Sequence, residues 1–304
     1  MSASRPSSEP QTGRDAAPAA PAVPVRVGVL GGGRMGAGIA HAFLLAGSQV
    51  VVVERDEVAA AAAGERIRSS LQRSVERGST DRTIAALEVA LETSTDAAVF
   101  ADAGLVVEAV PEDRALKVES LLRIEAAVAR GAAVASNTSS ISIDDLGAEL
   151  AHPERFLGLH FFNPVPASAL VEVVVGASTN QELVDDARGW VAALGKTAVV
   201  VADAPGFASS RLGVAIALEA IRMLEEGVAT AADIDAAMEL GYRHPTGPLR
   251  TTDIVGLDVR LGIAEELETK LGARFAPPQL LRDLVADGHL GRKTGRGFYE
   301  WSEG

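Results

Sequence analysis

The segment VRVGVLGGGRMGAGIAHAFLLAG, residues 25–47, places Gly31, Gly33 and Gly36 in the spacing G-x-G-x-x-G directly after an apolar run. Glycine inside a helix or strand costs about 1 kcal/mol relative to alanine, so this many glycines at one place indicate that something approaches the backbone closely. The apolar run predicts a short buried strand, and residues 34–46 predict a helix. The sequence therefore predicts a strand, a glycine-rich turn and a helix in direct succession.

This succession is typical of dinucleotide-binding folds. The first glycine permits the tight turn, the second lets the pyrophosphate approach, the third lets helix and strand pack closely, and the helix N-terminus stabilises the phosphate charge. Glu54 ends the next predicted strand, 23 residues after Gly31. There it would hydrogen-bond the adenine ribose hydroxyls and repel a 2′-phosphate, which favours NAD over NADP. The predicted cofactor-binding residues of this region are Gly31, Gly33, Arg34, Met35, Gly36 and Glu54.

Strand and helix patterns alternate over the first two thirds of the chain. Apolar runs such as QVVVVE (49–54) lack polar alternation, as expected for parallel strands that are covered on both faces. Helical patterns then dominate, as in LGVAIALEAIRMLEEGVA (212–229). We therefore predict an α/β fold, with a Rossmann-type, mostly parallel sheet domain at residues 25–203 and a smaller all-helical C-terminal domain at 204–304. The crevice between the two is the expected ligand site.

Composition limits the classes of function. With 47% apolar and 23% charged residues among 304, the chain can form a packed core, and its net charge of −13 argues against a nucleic-acid partner. There is no cysteine, and the five histidines lack metal-ligand spacing, so we predict no metal site. Residues 1–24, rich in Ala, Pro and Ser, predict a disordered tail, not a secretory signal. Without an apolar run long enough to span a membrane, we expect a cytoplasmic protein with no membrane partner.

The segment GLHFFNPVPASALVEVVVG, residues 158–176, offers an acid–base pair. His160 lies in an apolar stretch, and Glu172 follows twelve residues later. If their strands are adjacent, the carboxylate can fix one imidazole tautomer and stabilise the protonated ring, which suits a base in alcohol oxidation by hydride transfer. A lone histidine in such a stretch is more often an ordinary core residue. Ser139 and Ser140 are, by themselves, ordinary turn or cap residues.

Together these segments resemble the short-chain (S)-3-hydroxyacyl-CoA dehydrogenases of the 3-hydroxybutyryl-CoA dehydrogenase type. The likeness runs from about Val25 to Trp301 and is carried, in order, by GGGRMGAGIA, VVEAVPED, SNTSSISI, GLHFFNPVP, LVEVV, DAPGF, HPTGP, DIVGLDV and GRKTGRGFYEW. It implies NAD-dependent oxidation of an (S)-3-hydroxyacyl-CoA to the 3-oxoacyl-CoA, and the reverse reaction. It also implies an acyl-CoA substrate and a homodimer formed through the helical domain.

The resemblance further implies roles for individual residues. His160 is expected to be the general base, Glu172 its partner, and Ser139 a residue close to both the nicotinamide and the substrate oxygen. Further cofactor contacts are implied at Glu112, Lys117, Asn137, Ser139, Asn163 and Lys293. Substrate contacts are implied at Ser139, Ser210, Ser70 and Arg77, the last two toward coenzyme A. Arg77 stands where a lysine is usual, and Ser210 where the family has an asparagine that touches the substrate.

Other interpretations stay open. Lys117 and Arg77 could be solvated helix charges, and Ser210 could simply cap or pack at a helix start. The whole protein could be an L-gulonate 3-dehydrogenase-like enzyme of free hydroxy acids, which the lack of a coenzyme A requirement would favour. It could also be a catalytically silent NAD-binding protein, although such a protein needs no base, so the His160–Glu172 pair counts against it.

Overall fold

The glycine-rich segment folds as its sequence predicts. In the computed structural model, which describes residues 22–301, a strand, a turn and a helix follow one another. Gly31 has a φ of +95°, a conformation that L side chains rarely adopt. A Cβ on Gly36 would overlap the carbonyl oxygen of Gly31, whereas the space beside Gly33 is open to 4 Å. The turn is therefore tight, the helix packs closely on it, and the helix N-terminus is accessible to a ligand.

Eight strands form one sheet in the order β3-β2-β1-β4-β5-β6-β7-β8. Strand β7 runs antiparallel to β6, and every other neighbouring pair is parallel. The order reverses between β1 and β4, and ligands of such sheets bind outside the carboxyl ends of the strands at this point. The strands are β1 Arg26–Leu30, β2 Gln49–Val53, β3 Leu91–Ser94, β4 Leu105–Glu108, β5 Ala133–Ser136, β6 Phe156–Phe161, β7 Leu170–Val175 and β8 Thr197–Ala202.

The helices cover the sheet and then form a separate layer. Buried apolar clusters lie on each face of the sheet, and a third cluster lies among the helices that follow β8. The predicted fold class, a mostly parallel Rossmann-type sheet followed by helices, is therefore confirmed. The α-helices are α1 Arg34–Ala46, α2 Glu57–Glu76, α3 Ile84–Val89, α4 Arg114–Ala127, α5 Ile143–Gly147, α6 Gln181–Ala193, α7 Ser209–Glu225, α8 Ala231–Tyr242, α9 Pro248–Val255, α10 Leu257–Leu271 and α11 Gln279–Ala286.

Residues 23 and 24, the last of the predicted tail, contact the sheet domain. Residues 1–21 of the predicted tail lie outside the described residues. Val23 packs partly against the core, and the carbonyl of Pro24 accepts a hydrogen bond from Ser48 Oγ at 2.7 Å, so these two residues belong to the folded part. At the other end of the predicted sheet domain, only six residues separate β8 from α7, and the division at residues 203–205 stays a prediction.

Two buried aspartates hold the last segment of the chain on the helical layer. Asp253 accepts hydrogen bonds from the backbone of Phe298 and Tyr299 and from Trp301 Nε1 at 2.7–3.0 Å. Asp235 accepts one from the Tyr299 hydroxyl at 2.7 Å, and burial together with this carboxylate raises the pKa of Tyr299. The motifs DIVGLDV and GRKTGRGFYEW are thus joined in one structural cluster.

Candidate active site

His160 and Glu172 lie directly opposite each other on the antiparallel pair β6 and β7. His160 Nδ1 is 2.8 Å from Glu172 Oε2, the residue His160 is 6% exposed and Glu172 is fully buried. Since a carboxylate only accepts hydrogen bonds, Nδ1 carries the hydrogen and Nε2 keeps its lone pair. The condition set by the sequence argument, that the two strands be adjacent, is therefore met.

The first turn of α7 holds the carboxylate from the opposite side. Glu172 Oε1 accepts from the backbone amides of Ala208 and Ser209 at 3.1 and 2.8 Å, and Oε2 accepts from Ser209 Oγ at 2.7 Å. Burial raises the pKa of Glu172, but the hydrogen bonds from His160 and Ser209 more than offset this and hold the pKa below its usual range. Glu172 is therefore an ionised counter-charge for the imidazole.

A cleft of about 800 Å³ opens at the carboxyl ends of β1, β4, β5 and β6. This volume lies within the range of small-molecule and cofactor sites, and the open space beside Gly33 faces the same turn, so the residues present fit a dinucleotide. His160 lies at the cleft while Glu172 lies behind it. The predicted site residues that line it are Gly31, Gly33, Arg34, Met35, Glu54, Glu112, Asn137, Ser139, His160 and Asn163.

Glu54 lies at the end of β2 beside the glycine-rich turn. Its Oε1 accepts a hydrogen bond from the Gly32 amide at 2.8 Å, and its Oε2 accepts one from the Arg55 amide at 3.1 Å. The carboxylate is thus fixed at the edge of the cleft, where the ribose of a bound dinucleotide is expected. Arg55 also lines the cleft, but its side chain is 82% exposed and paired with Asp56.

Glu112 organises the loop that carries Ser139. One of its oxygens accepts from Thr138 Oγ1 at 2.6 Å and from the Ser139 amide at 2.8 Å and hydroxyl at 3.1 Å. Burial by itself raises the pKa of Glu112. The Lys117 ammonium and these hydrogen bonds together have the larger effect, and they hold the pKa below its usual range. The loop after β5 is therefore held against an ionised carboxylate that lines the cleft.

Lys117 is buried and does not line the cleft. Its Nζ lies 2.8 Å from Glu108 Oε1 and 3.3 Å from Glu112 Oε2, and its side chain is 1% exposed. The interpretation of Lys117 as a solvated helix charge is therefore wrong, because the ammonium lies inside a buried network. Its predicted contact with the cofactor stays a prediction, and the structure shows a contact with Glu112, which does line the cleft.

Asn137 joins the end of β5 to β6. Its Oδ1 accepts a hydrogen bond from the Phe161 amide at 2.9 Å, next in sequence to His160. Asn163 is exposed on the same rim of the cleft. Both residues therefore line the same cleft as His160, and their contacts with the cofactor stay predictions.

Several predicted site residues lie away from the cleft lining. Lys293 Nζ binds both carboxylate oxygens of Asp258 at 2.6 Å in the helical layer. Ser70 is half-buried on α2, exposed Arg77 follows the end of that helix, and half-buried Ser210 is the second residue of α7. Their roles toward substrate or cofactor stay predictions.

Sequence reasoning missed four polar residues that support the site. Glu108 binds Lys117 and accepts from Ser136 Oγ at 2.5 Å, Thr138 binds Glu112, and Ser209 binds Glu172. A charged Glu108 inside the apolar run LVVEAV was a usable signal, because a buried charge requires a partner. The role of Ser209 depends on a contact 37 residues away in sequence, which no local pattern indicates.

Among residues 22–301, no cluster of three or more histidine, aspartate or glutamate side chains is arranged to hold a metal ion. Within the same range, none of the helices combines the length and apolar character needed to cross a membrane.

A glycine-rich dinucleotide turn together with a buried histidine–carboxylate pair defines a dehydrogenase of the Rossmann type. The family model described as "3-hydroxyacyl-CoA dehydrogenase, NAD binding domain" matches residues 26–204, and its "C-terminal domain" counterpart matches residues 206–301. The chain belongs to the 3-hydroxyacyl-CoA dehydrogenase family, and it is an NAD-dependent oxidoreductase. The family predicted from the motifs is confirmed, as is NAD(H) as the cofactor.

Named relatives cover nearly the whole chain. The chain is 43% identical over 280 residues to 3-hydroxybutyryl-CoA dehydrogenase of Mycobacterium tuberculosis, covering 91% of this chain and 98% of the relative. It is 39% identical over 279 residues to a probable 3-hydroxybutyryl-CoA dehydrogenase of Bacillus subtilis, covering 90% and 96%. The crystal structure of (S)-3-hydroxybutyryl-CoA dehydrogenase from Ralstonia eutropha is similar with a TM-score of 0.88, 38% identity and coverage of 92% and 100%.

Proposed function

We propose that the protein oxidises (S)-3-hydroxybutyryl-CoA, or a similar short-chain (S)-3-hydroxyacyl-CoA, to the 3-oxoacyl-CoA with NAD⁺, and catalyses the reverse reaction. The observation that carries this proposal is the His160–Glu172 pair, in which the carboxylate holds Nδ1 at 2.8 Å while the ring lines the cleft. The names of the relatives support the substrate class.

Different residues of the cleft are proposed to hold different parts of the cofactor. When bound, the cofactor supplies the acceptor for the hydride that leaves C3 of the substrate. The turn at Gly31–Gly33 and the N-terminus of α1 would hold the pyrophosphate, and Glu54 the adenine ribose. Glu112 and the loop with Ser139 would border the nicotinamide half of the cofactor.

His160 moves the proton. In the oxidation its Nε2 accepts the hydrogen of the substrate hydroxyl, and in the reduction it donates that proton to the forming alkoxide. Glu172 stays ionised throughout, fixes the tautomer and stabilises the imidazolium. Positioned acid–base catalysis of this kind contributes roughly 10²–10⁴-fold to the rate.

Oxidation of NADH against three acceptors tests the function. We expect rapid turnover with acetoacetyl-CoA, slower turnover with longer 3-oxoacyl-CoAs and little with free acetoacetate. Equal use of free acetoacetate would favour the L-gulonate 3-dehydrogenase-like alternative. Binding of NADH without turnover of any acceptor would instead make the protein a silent dinucleotide binder.

We further propose that NAD is preferred over NADP, because Glu54 is fixed where a 2′-phosphate would lie. Coenzyme A is proposed to contact Ser70 on α2 and Arg77 directly after this helix. Ser210 is proposed to approach the substrate, and Lys293 the cofactor, when these bind. The division into units at residues 25–203 and 204–304 is part of the same proposal, with the second unit carrying the contacts between subunits.

A homodimer is proposed on the apolar surface of the helical layer. Leu212 and Ile216 lie one turn apart on α7 and are 63% and 37% exposed. Val259 on the contacting helix α10 is 43% exposed, and Ile254 and Val255 at the end of α9 are about as exposed. Several exposed apolar residues on contacting helices are typical of a surface that another protein covers, here a second copy of this chain.

A further inference from the structure

The carboxylate of Glu172 divides its hydrogen bonds between the base and the first turn of α7. Oε2 accepts from His160 Nδ1 at 2.8 Å and from Ser209 Oγ at 2.7 Å, so the two donors share one oxygen. Both amides that bind Oε1 belong to the backbone and are present whatever side chain stands at position 209. The Ser209 hydroxyl is therefore the side-chain donor that competes directly with the imidazole.

Because the carboxylate is buried, the competition between the two donors for Oε2 affects the hydrogen bond to His160. Glu172 is fully buried and Ser209 is half-buried, and the carboxylate faces fixed protein donors inside the structure. Each added donor stabilises the anion and weakens the hydrogen bonds that it accepts from the other donors. Loss of the Ser209 donor would leave Oε2 free to bind the imidazolium more strongly.

The aromatic neighbours of His160 and the β8 neighbour of Glu172 are neutral. The rings of Phe162 and Phe207 lie 4.4 and 5.7 Å from the His160 ring, and Val199 on β8 pairs with Glu172. Within the described residues, Glu172 is the salt-bridge partner of His160, and the other ionisable side chains of the cleft lining are Arg34, Glu54, Arg55, Glu112, Glu119 and Arg123. A change at Ser209 therefore reaches His160 through Glu172.

We propose that Ser209 is a positioning residue that sets the proton affinity of His160 through Glu172, an inference that rests on the proposed role of His160 as the base. The hydroxyl draws the carboxylate away from the imidazolium and so keeps His160 a weaker base than Glu172 alone would make it. Ser209 thereby places the working pH range of the oxidation lower than it would otherwise be.

The test compares Ser209→Ala and Ser209→Thr with Ser210→Ala, in which the next residue of the same helix loses its hydroxyl. The Ser210 hydroxyl makes no hydrogen bond to another described residue, which makes this variant a matched control. The measurement is kcat/KM for the oxidation of 3-hydroxybutyryl-CoA by NAD⁺ between about pH 5 and about pH 9.

Neutral His160 is required for the oxidation, so activity rises with pH as the ring loses its proton. In Ser209→Ala we expect this rise of kcat/KM with pH to shift to higher pH by about half a unit, because Glu172 stabilises the imidazolium more strongly. Ser209→Thr keeps the hydroxyl and should show the same rise with pH as wild type. Ser210→Ala should lower kcat/KM without shifting this rise. The proposal would be overturned if the pH dependence of kcat/KM were unchanged in Ser209→Ala, or if it shifted equally in Ser210→Ala.

A second measurement separates this proposal from the proposed function. The protonation of the His160 ring can be followed by NMR in the protein without substrate, with His160→Gln to assign the signal among five histidines. An upward shift of the His160 titration curve in Ser209→Ala, but not in Ser209→Thr, supports the coupling even if the enzyme proves to act on another substrate. Identical curves would refute it whatever the substrate is.

Discussion

We propose that His160 and Glu172, whose Nδ1 and Oε2 atoms lie 2.8 Å apart, work as one catalytic unit. We expect His160→Ala to lower kcat by about 10²–10⁴-fold while NADH affinity changes little, because the base is lost and the dinucleotide turn is untouched. Glu172→Gln should also lose much of its activity, and the double variant should be far from additive. His152→Ala is the control, since His152 is a half-exposed histidine paired with Glu154. Near-normal turnover in His160→Ala would mean that the base lies elsewhere.

We propose that Glu54 decides between the two nicotinamide cofactors. Its carboxylate is fixed at 2.8 Å from the Gly32 amide, so a 2′-phosphate beside it would meet like-charge repulsion. We expect a strong preference of wild type for NADH over NADPH in kcat/KM and a clear narrowing of this ratio in Glu54→Ala. The control is Glu57→Ala, which removes a carboxylate three residues later on α2, outside the cleft lining. Equal use of both cofactors by wild type contradicts the assignment.

At the scale of the element, the contact between α1 and α2 contains a buried histidine. His41 on α1 is 2% exposed, and its Nε2 lies 2.9 Å from Ser74 Oγ on α2. Burial, together with the nearby charges of Arg73 and Lys196, lowers the pKa of His41 from 6.5 to about 4. The folded protein therefore resists protonation of a group that the unfolded chain protonates readily.

This difference predicts a loss of stability in mild acid. Because the folded pKa lies below the unfolded one, the contribution of neutral His41 is complete above about pH 6.5 and is lost as the pH falls toward 4. Between about pH 7 and pH 5, we expect the free energy of unfolding of wild type to fall by about 2 kcal/mol more than that of His41→Gln. Urea unfolding at both pH values measures this, with His152→Gln as the control. Parallel losses in wild type and His41→Gln would contradict the prediction.

The elements also show which parts of the fold the sequence could predict. The β1–turn–α1 unit was predicted because its glycines are required locally, and most strands because their apolar runs are unbroken. Strand β3 and helix α5 were missed, since LETS is half polar and IDDLG is too short to show a period. Helix α3 is short, because it begins only after the Thr83 cap and Leu91 already pairs with β2. The antiparallel direction of β7 depends on how the chain connects this strand to β6, and hydrophobic periodicity does not indicate strand direction.

The surroundings of His160, the proposed base, come both from the sheet and from the helix α7 that follows it. The imidazole and its carboxylate lie on the sheet, whereas three donors to that carboxylate come from Ala208 and Ser209 at the start of the helical layer. The packing of the helices on the sheet thus fixes the electrostatic state of the site. The same helix α7 carries exposed Leu212 one turn later, so the proposed dimer surface and the base share one element.

The apolar surface on α7 and α10 predicts how the molecule assembles. Leu212→Glu and Val259→Glu each place a charge where a second subunit would bury it, at a cost of several kcal/mol that a dimer of ordinary affinity cannot compensate. We expect wild type to sediment as a dimer and both variants as monomers at micromolar concentration, in analytical ultracentrifugation. Val89→Glu is the control, because Val89 is 89% exposed on α3, away from the helical layer, and should leave the dimer intact. A dimer that persists in both variants would place the subunit contact on another surface, and a wild type that sediments as a monomer would exclude the dimer altogether.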